Sequence, residues 1–331
     1  MNLRPRIRLC ALITLLGITA AGESGPFEGQ GRRFDVPVAA SRTVQVGGAS
    51  LQVDLAQGAL DLPVDSVLGR IQLAAQAVAA YYGRFPVDRA RVLVVPVPGG
   101  PGVIQGTTWG NMRGFPGFTR IRLGEHDSAG DLARDWVMSH EFVHMAFPSM
   151  PDDQHWMEEG QATYIEPIAR VMIGDLRPNE IWGDMMRDMP KGEPQPGDQG
   201  LDHTHTWART YWGGAMFLLV ADVEIRRQTS NRKGLRDALR AVVASGGTID
   251  QEWPLSRALA TGDQATGTGV LTEMYARWKD APVQVDLPKL FQQLGVRAGP
   301  GGVTFDDSAP LAKIRKAIDG EAKPAQSGRS F

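Results

Sequence analysis

Cysteine occurs once in the 331 residues, at Cys10, and histidine only six times. One cysteine cannot close an internal disulfide, and the thiolate clusters that hold structural zinc are excluded. Any metal bound by this chain must take nitrogen and oxygen ligands. Neither sign of charge is in excess: 35 basic side chains stand against 37 acidic ones, a formal net charge of -2. That balance lacks the basic footprint of a nucleic-acid binder, so no nucleic-acid partner is expected. Long apolar runs are missing too. The run from Leu9 to Ala21 covers 13 residues, short of the roughly 20 that a helix needs to cross a bilayer.

What stands at the start has the order of an export signal. Arg4, Arg6 and Arg8 precede the apolar run, and small residues follow at Thr19, Ala20, Ala21 and Gly22. Residues 1–21 are expected to be a signal peptide cut near Ala21. The mature chain is then periplasmic or secreted, with no stable membrane span. Cleavage would remove three bases, no acid and Cys10, leaving 32 bases against 37 acids, or -5.

No internal repeat is visible. "TVQVGGASLQVDL" alternates apolar residues on both sides of Gly47 and Gly48, the pattern of a hairpin. Asp65 is expected to cap a helix whose apolar residues Val67, Ile71, Ala75, Val78 and Tyr82 keep helical spacing, with Gly83 ending it. "RVLVVPV" from Arg91 predicts a short buried strand, and Pro96 an edge position or an early end. A glycine- and proline-rich stretch follows, then a strand over Thr119–Leu123. From Ser128 the chain is mostly helical, with a loop over Pro190–Gly200. Helices are expected near Tyr211–Thr229, Leu235–Ala244 and Gly269–Lys279, and a tail losing order after Ala322. The expected class is α+β, a small mixed sheet with one helix followed by a mainly helical half. The segments are 22–42 as an N-terminal extension, 43–127 as a small α/β subdomain, 128–285 as a helical subdomain and 286–331 as a C-terminal segment and tail.

Two of the six histidines stand four residues apart in "SHEFVH", Ser139–His144. Ser128 to Asp131 has the form of a capping box. The helix it starts should carry Leu132, Trp136, His140, His144 and Phe147 along one side. His140 and His144 can then reach one point off the helix, with Glu141 about 100° round from His140. This is the HExxH pattern, in which two imidazoles bind zinc and the carboxylate between them serves as general base. Zinc needs a third protein ligand. "WMEEGQATYIE", Trp156–Glu166, reads as a second helix after a short break, and both Glu158 and Glu159 in its first turn could supply that ligand.

The pattern resembles the gluzincin metallopeptidases, the thermolysin and aminopeptidase clan. There HExxH is followed by Trp-x-x-Glu-Gly-x-Ala-x-Tyr, matched here by Trp156, Glu159, Gly160, Ala162 and Tyr164. The resemblance makes Glu159 the third ligand of one zinc ion per chain and implies a zincin-like fold. "TYWGGAMFLLVADVEIRRQT" is similar to the Tyr-x-Lys-Gly helix of the aminopeptidase and glycyl-aminopeptidase branches, and there Tyr211 takes the place of the oxyanion-binding tyrosine. Gly213 stands where lysine is usual. Asp222, Arg226 and "GLRDAL" are similar to the glycyl-aminopeptidase branch in particular. The likeness covers roughly residues 102–243, the catalytic core only. The Gly-Ala-Met-Glu-Asn segment that grips a free amino terminus is absent, so aminopeptidase specificity does not carry over.

The resemblance implies hydrolysis of a peptide or protein substrate. Zinc on His140, His144 and Glu159 would activate water, Glu141 would act as general base and Tyr211 would bind the oxyanion. It also suggests "VIQGTTWG" as the edge strand along which an extended substrate pairs, through Gly106, Thr107 and Thr108. His205, in "DHTHT" just before Tyr211, is a candidate second oxyanion donor, with His203 beside it. His126 and His155 have no pattern around them. Trp156, Trp182, Trp207 and Trp212 could line a cleft or pack a core. Two other readings fit the same residues: a zinc-binding protein with a silent site, and a zinc hydrolase of a non-peptide amide.

Overall fold

The structure is a computed structural model that describes residues 36–320; the stretch 1–21 expected to be a signal peptide and the tail beyond 320 lie outside the described residues. β1 (Val38–Val46) and β2 (Ala49–Ala56) form the hairpin expected around Gly47 and Gly48. The φ angles of these glycines, 55° and 83°, are the left-handed values that a two-residue turn requires. β1 begins inside the stretch read as an N-terminal extension.

The helix α1 (Val64–Tyr82) carries the chain from β2 to β3 (Arg89–Val97), and these two strands pair in parallel. α1 buries Val67, Ile71, Ala75, Val78 and Tyr82 as their spacing predicts, and it ends at Gly83 with φ 85°. Asp65 is not its cap. Pro63 holds that position, and Asp65 lies in the first turn, where its charge favours the helix N-terminus.

β4 (Val103–Met112) and β5 (Phe115–Gly124) form a second hairpin. β5 inserts beside β3, giving the order β1-β2-β3-β5-β4 with β4 at the edge. The sheet is mixed, as expected. β3 is flanked on both sides rather than at an edge. Pro96 is tolerated because the ladder with β2 stops at Leu55–Val94, while that with β5 continues to Val97–Gly124.

One sheet face packs into the main core: Leu51, Val53, Val92 and Ile121 join Ile71, Val78 and Phe142 of the helices. The opposite face carries a small cluster of Ala56, Leu93 and Phe118. Arg91 and Arg120 lie over Phe118 and Trp109 there, at 5.4 and 5.5 Å from the ring centroids.

The rest is mainly helical. α2 (Ala129–Ala133), α3 (Val137–His144), α4 (His155–Met172) and α5 (Pro178–Asp188) come first. A π-helical turn, Arg209–Gly213, then leads into α6 (Gly214–Gln228). α7 (Leu235–Ala244), α8 (Leu255–Thr266), α9 (Val270–Trp278) and α10 (Leu287–Leu294) follow. A small hairpin, β6 (Val296–Gly299) with β7 (Gly302–Phe305), precedes α11 (Ala312–Asp319). The expected helices near Tyr211–Thr229, Leu235–Ala244 and Gly269–Lys279 are all present. The fold is α+β and zincin-like.

Candidate metal centre

The single helix expected from Ser128 is two helices. Ser128 does cap the first, its hydroxyl accepting from the Asp131 amide at 3.1 Å, but α2 ends at Ala133. Asp135 then accepts from the amides of Val137 and Met138 at 3.2 and 3.1 Å, and α3 restarts there. A side chain that takes the next amides competes with helix continuation. Arg70 donates to the Asp135 carbonyl and fixes the joint. Burial raises the Asp135 carboxyl to about pKa 6, against the opposing pull of those two amides and Arg70. The joint frees α3 to take its own direction, and Trp136, expected along one helix side with Leu132 and His140, sits there 45% exposed.

α3 presents His140 and His144, and α4 presents Glu159 one turn from its start. His140 Nε2 lies 3.1 Å from Glu159 Oε2, and His144 Nε2 lies 3.7 Å from the same oxygen. The three donor atoms fall within 4.8 Å of one another. Ligands about 2.05 Å from a tetrahedral zinc stand about 3.3 Å apart, so these separations bracket what one zinc ion needs. The electrostatics agree. Burial pushes His144 down to about pKa 4, against Glu159, which leaves its ring neutral with a lone pair to give. Burial also opposes the charged form of His140, but the hydrogen bond and charge of Glu159 outweigh it and raise that ring. Glu159 itself is held well below the usual carboxylate range: burial would raise it, and His144, His140 and His155 overcome that. A positive charge beside Glu159 is favoured, and a cation held between the three donors would supply it. Among the described residues this is the one group of three or more His, Cys, Asp or Glu side chains that converges in this way.

Glu158, the other glutamate open on spacing alone, turns away. It accepts from the Met150 amide at 3.4 Å and meets His155 Nδ1 at 3.0 Å. His155, which had no pattern in the sequence, places Nε2 3.2 Å from the outer oxygen of Glu159. It stands four residues before Glu159 on α4, a same-face spacing that was legible as a pair.

Glu141 points to the same cleft from α3. Thr108 of β4 donates its hydroxyl to Glu141 Oε2 at 2.8 Å and lies 3.0 Å from the Glu141 carbonyl. Burial raises the Glu141 carboxyl to about pKa 7, while His140 and Thr108 pull it down. A carboxylate so poised exchanges a proton readily at neutral pH. Gly106 and Thr107 lie beside Thr108 on β4, so the stretch is an edge strand and not a loop.

Tyr211 comes from the π-helical turn, a local form that often marks a functional position. Its ring stacks on His140 at 6.2 Å between centroids, and Trp207 stacks on it at 5.4 Å. Burial, then the charge of Glu159, pushes the phenol well above its usual range, so it stays protonated and able to donate. The turn is braced by glycines. A Cβ on Gly160 would lie 2.4 Å from Gly214 Cα, and one on Gly192 would lie 2.3 Å from Gly213 N. α4 and α6 therefore meet backbone to backbone, directly behind Glu159.

These side chains line one cleft of about 380 Å³, walled by β4, α3, α4 and the Tyr211 turn. His205 is not among its lining residues; it is exposed on the loop before the turn, and His203 is spent on Asp280 at 2.8 Å. Neither serves as an oxyanion donor in this arrangement. Of the four tryptophans considered, Trp156 and Trp182 are buried, Trp212 packs against the core and Trp207 lines the cleft.

Fold and centre together give a zincin-like fold with a His-His-Glu group suited to one zinc ion. No family model matches the chain, and no curated protein sequence matches it. Solved structures match in fold. An aminopeptidase N family protein from Idiomarina loihiensis superposes with a TM-score of 0.56 at 13% identity, over 78% of this chain and 49% of its own. A two-domain M1 zinc metallopeptidase variant bound to L-arginine gives 0.50 at 16%, over 76% and 54%. The chain spans about half the length of these structures, and the likeness is one of fold.

Proposed function

We propose that this chain is an exported zinc-dependent peptidase. The observation that carries the reading is the convergence of His140, His144 and Glu159 on one point, with Glu141 opening into the same cleft. A zinc ion held there supplies Lewis-acid polarisation of a carbonyl and acidifies water. Glu141 takes a proton from water and returns it to the leaving nitrogen, roles that suit a carboxyl near pKa 7. Tyr211, protonated at neutral pH, donates to the developing oxyanion. Along β4, the main chain at Gly106, Thr107 and Thr108 offers an edge on which an extended peptide can lie. A fold relative bound to L-arginine is in keeping with an amino-acid-derived substrate. The arginine-led apolar segment at residues 1–21 supports export.

The test uses the purified zinc-loaded protein on a mixed peptide library, with Glu141→Gln as control. Cleavage that disappears on chelation and in the variant is expected. Cleavage that survives Glu141→Gln removes the proposed base. No cleavage with zinc bound one to one would instead favour a binding role, and hydrolysis of other amides alone would make the substrate non-peptide. Mass spectrometry of protein recovered from the cell exterior or periplasm should show an amino terminus near residue 22.

A further inference from the structure

Large apolar side chains stand exposed at five described positions: Val38, Ile104, Trp136, Trp207 and Phe305. Three of the five, Ile104, Trp136 and Trp207, line the metal cleft. The two indoles are 45% and 44% exposed. Trp136 meets the His140 ring edge-on at 5.3 Å, and Trp207 reaches it through Tyr211, stacked at 5.4 Å. The indoles therefore flank the point where a scissile bond would sit. Apolar surface left in water at such a place is unfavourable until something covers it.

Charge narrows what that can be. No lysine or arginine lines the cleft, and its carboxylates are Glu141, Glu158 and Glu159. All three already have partners: Thr108 for Glu141, Met150 and His155 for Glu158, and His140 with His155 for Glu159. An acidic substrate side chain would meet three carboxylates, and the cationic partners within reach, His155 and a zinc ion at the centre, are already shared by Glu158 and Glu159. A basic one would find every carboxylate engaged. An apolar one gains by covering the indoles.

We propose that the cleft selects peptides with a bulky apolar side chain, aromatic above all, next to the scissile bond, seated against Trp136, Trp207 and Ile104. This rests on the peptidase reading, and the two can fail separately. Covering each indole is expected to contribute about tenfold in specificity, the equivalent of some 55 Å² of apolar surface removed from water.

The experiment uses zinc-loaded protein and quenched fluorescent peptides that differ at one residue, Phe, Leu, Ala, Asp or Lys, on either side of the bond. The wild type should cut the Phe peptide at least tenfold faster in kcat/KM than the Ala or Asp peptides. Trp207→Ala and Trp136→Ala should each shrink that ratio, and Trp207→Phe should keep most of it, with zinc content and melting temperature measured for each variant. A ratio near one in the wild type, or one unchanged in both alanine variants, overturns the proposal and leaves the peptidase reading intact. Binding is read separately by calorimetry on zinc-loaded Glu141→Gln with the same peptides. Phe peptides bound tightly but never cut by the wild type would sink the peptidase reading and keep the apolar selectivity. Equal binding of Phe and Ala peptides would overturn the selectivity whatever the enzyme cuts.

Discussion

Gly106 of β4 and Glu141 of α3 share one small space. A Cβ on Gly106 would lie 2.5 Å from Glu141 Cγ and 2.7 Å from Val137 Cγ1. The bare backbone at this position is what lets the carboxylate rest beside the strand. Gly106→Ala is expected to displace Glu141 and lower kcat/KM about a hundredfold, the scale of a misplacement near 1 Å. Zinc content should stay at one per chain. Full activity in this variant would mean that β4 does not set the position of Glu141.

Tyr211 offers a hydroxyl that burial keeps protonated. Tyr211→Phe preserves the stacking on His140 and Trp207 and removes only the donor. A fall of about 10² to 10³ in kcat is expected, with KM and zinc content little changed. A fall below threefold would reduce Tyr211 to a packing partner of the two rings.

His155 bonds the oxygen of Glu159 that faces away from the imidazole pair. Groups that orient a metal ligand in this way change affinity about 10- to 100-fold when lost. His155→Ala should weaken zinc binding by that factor in a chelator competition, with His155→Gln recovering part of it. An unchanged affinity would show that α4 packing alone aims Glu159.

Away from the centre, Asp319 of α11 accepts from the Trp182 indole at 2.9 Å. Burial raises its carboxyl from 3.8 to about 6, against the pull of Trp182 and Arg315. Between those values the folded chain holds a proton that the unfolded chain has released. Stability from this group therefore falls as pH rises through the window. Asp319→Asn keeps an acceptor for Trp182 and has no proton to lose. Urea unfolding should show the variant gaining on the wild type between pH 4.5 and pH 7. A parallel pair of profiles would contradict the raised carboxyl.

Much of the centre was legible because its signal is local. His140, Glu141 and His144 follow from helical spacing, whereas choosing Glu159 over Glu158 needed the family resemblance. The coordinates give the physical reason: Glu158 is held by Met150 and His155. The break at Asp135 was hidden because the Ser128 capping box already supplied a start for one long helix. Thr108 was marked for its backbone, and its side chain's bond to Glu141 depends on which sheet face α3 covers. That contact joins positions 33 apart and leaves no trace in either segment alone. α10 did carry short-range signals, Asp286 as cap and Gly295 as stop. At eight residues it depends on packing rather than periodicity, and such helices are easily passed over.

Half of the chain's six histidines reach for Glu159: His140 and His144 from α3, and His155 from its own helix. That one carboxylate acts as a keystone between two helices. Neutralising it would strip three imidazoles of their shared orientation, two of them crowded in a nearly dry space and His155 half in solvent. The centre should consequently come apart as a unit, losing its grip on the cation and the seam between α3 and α4 together.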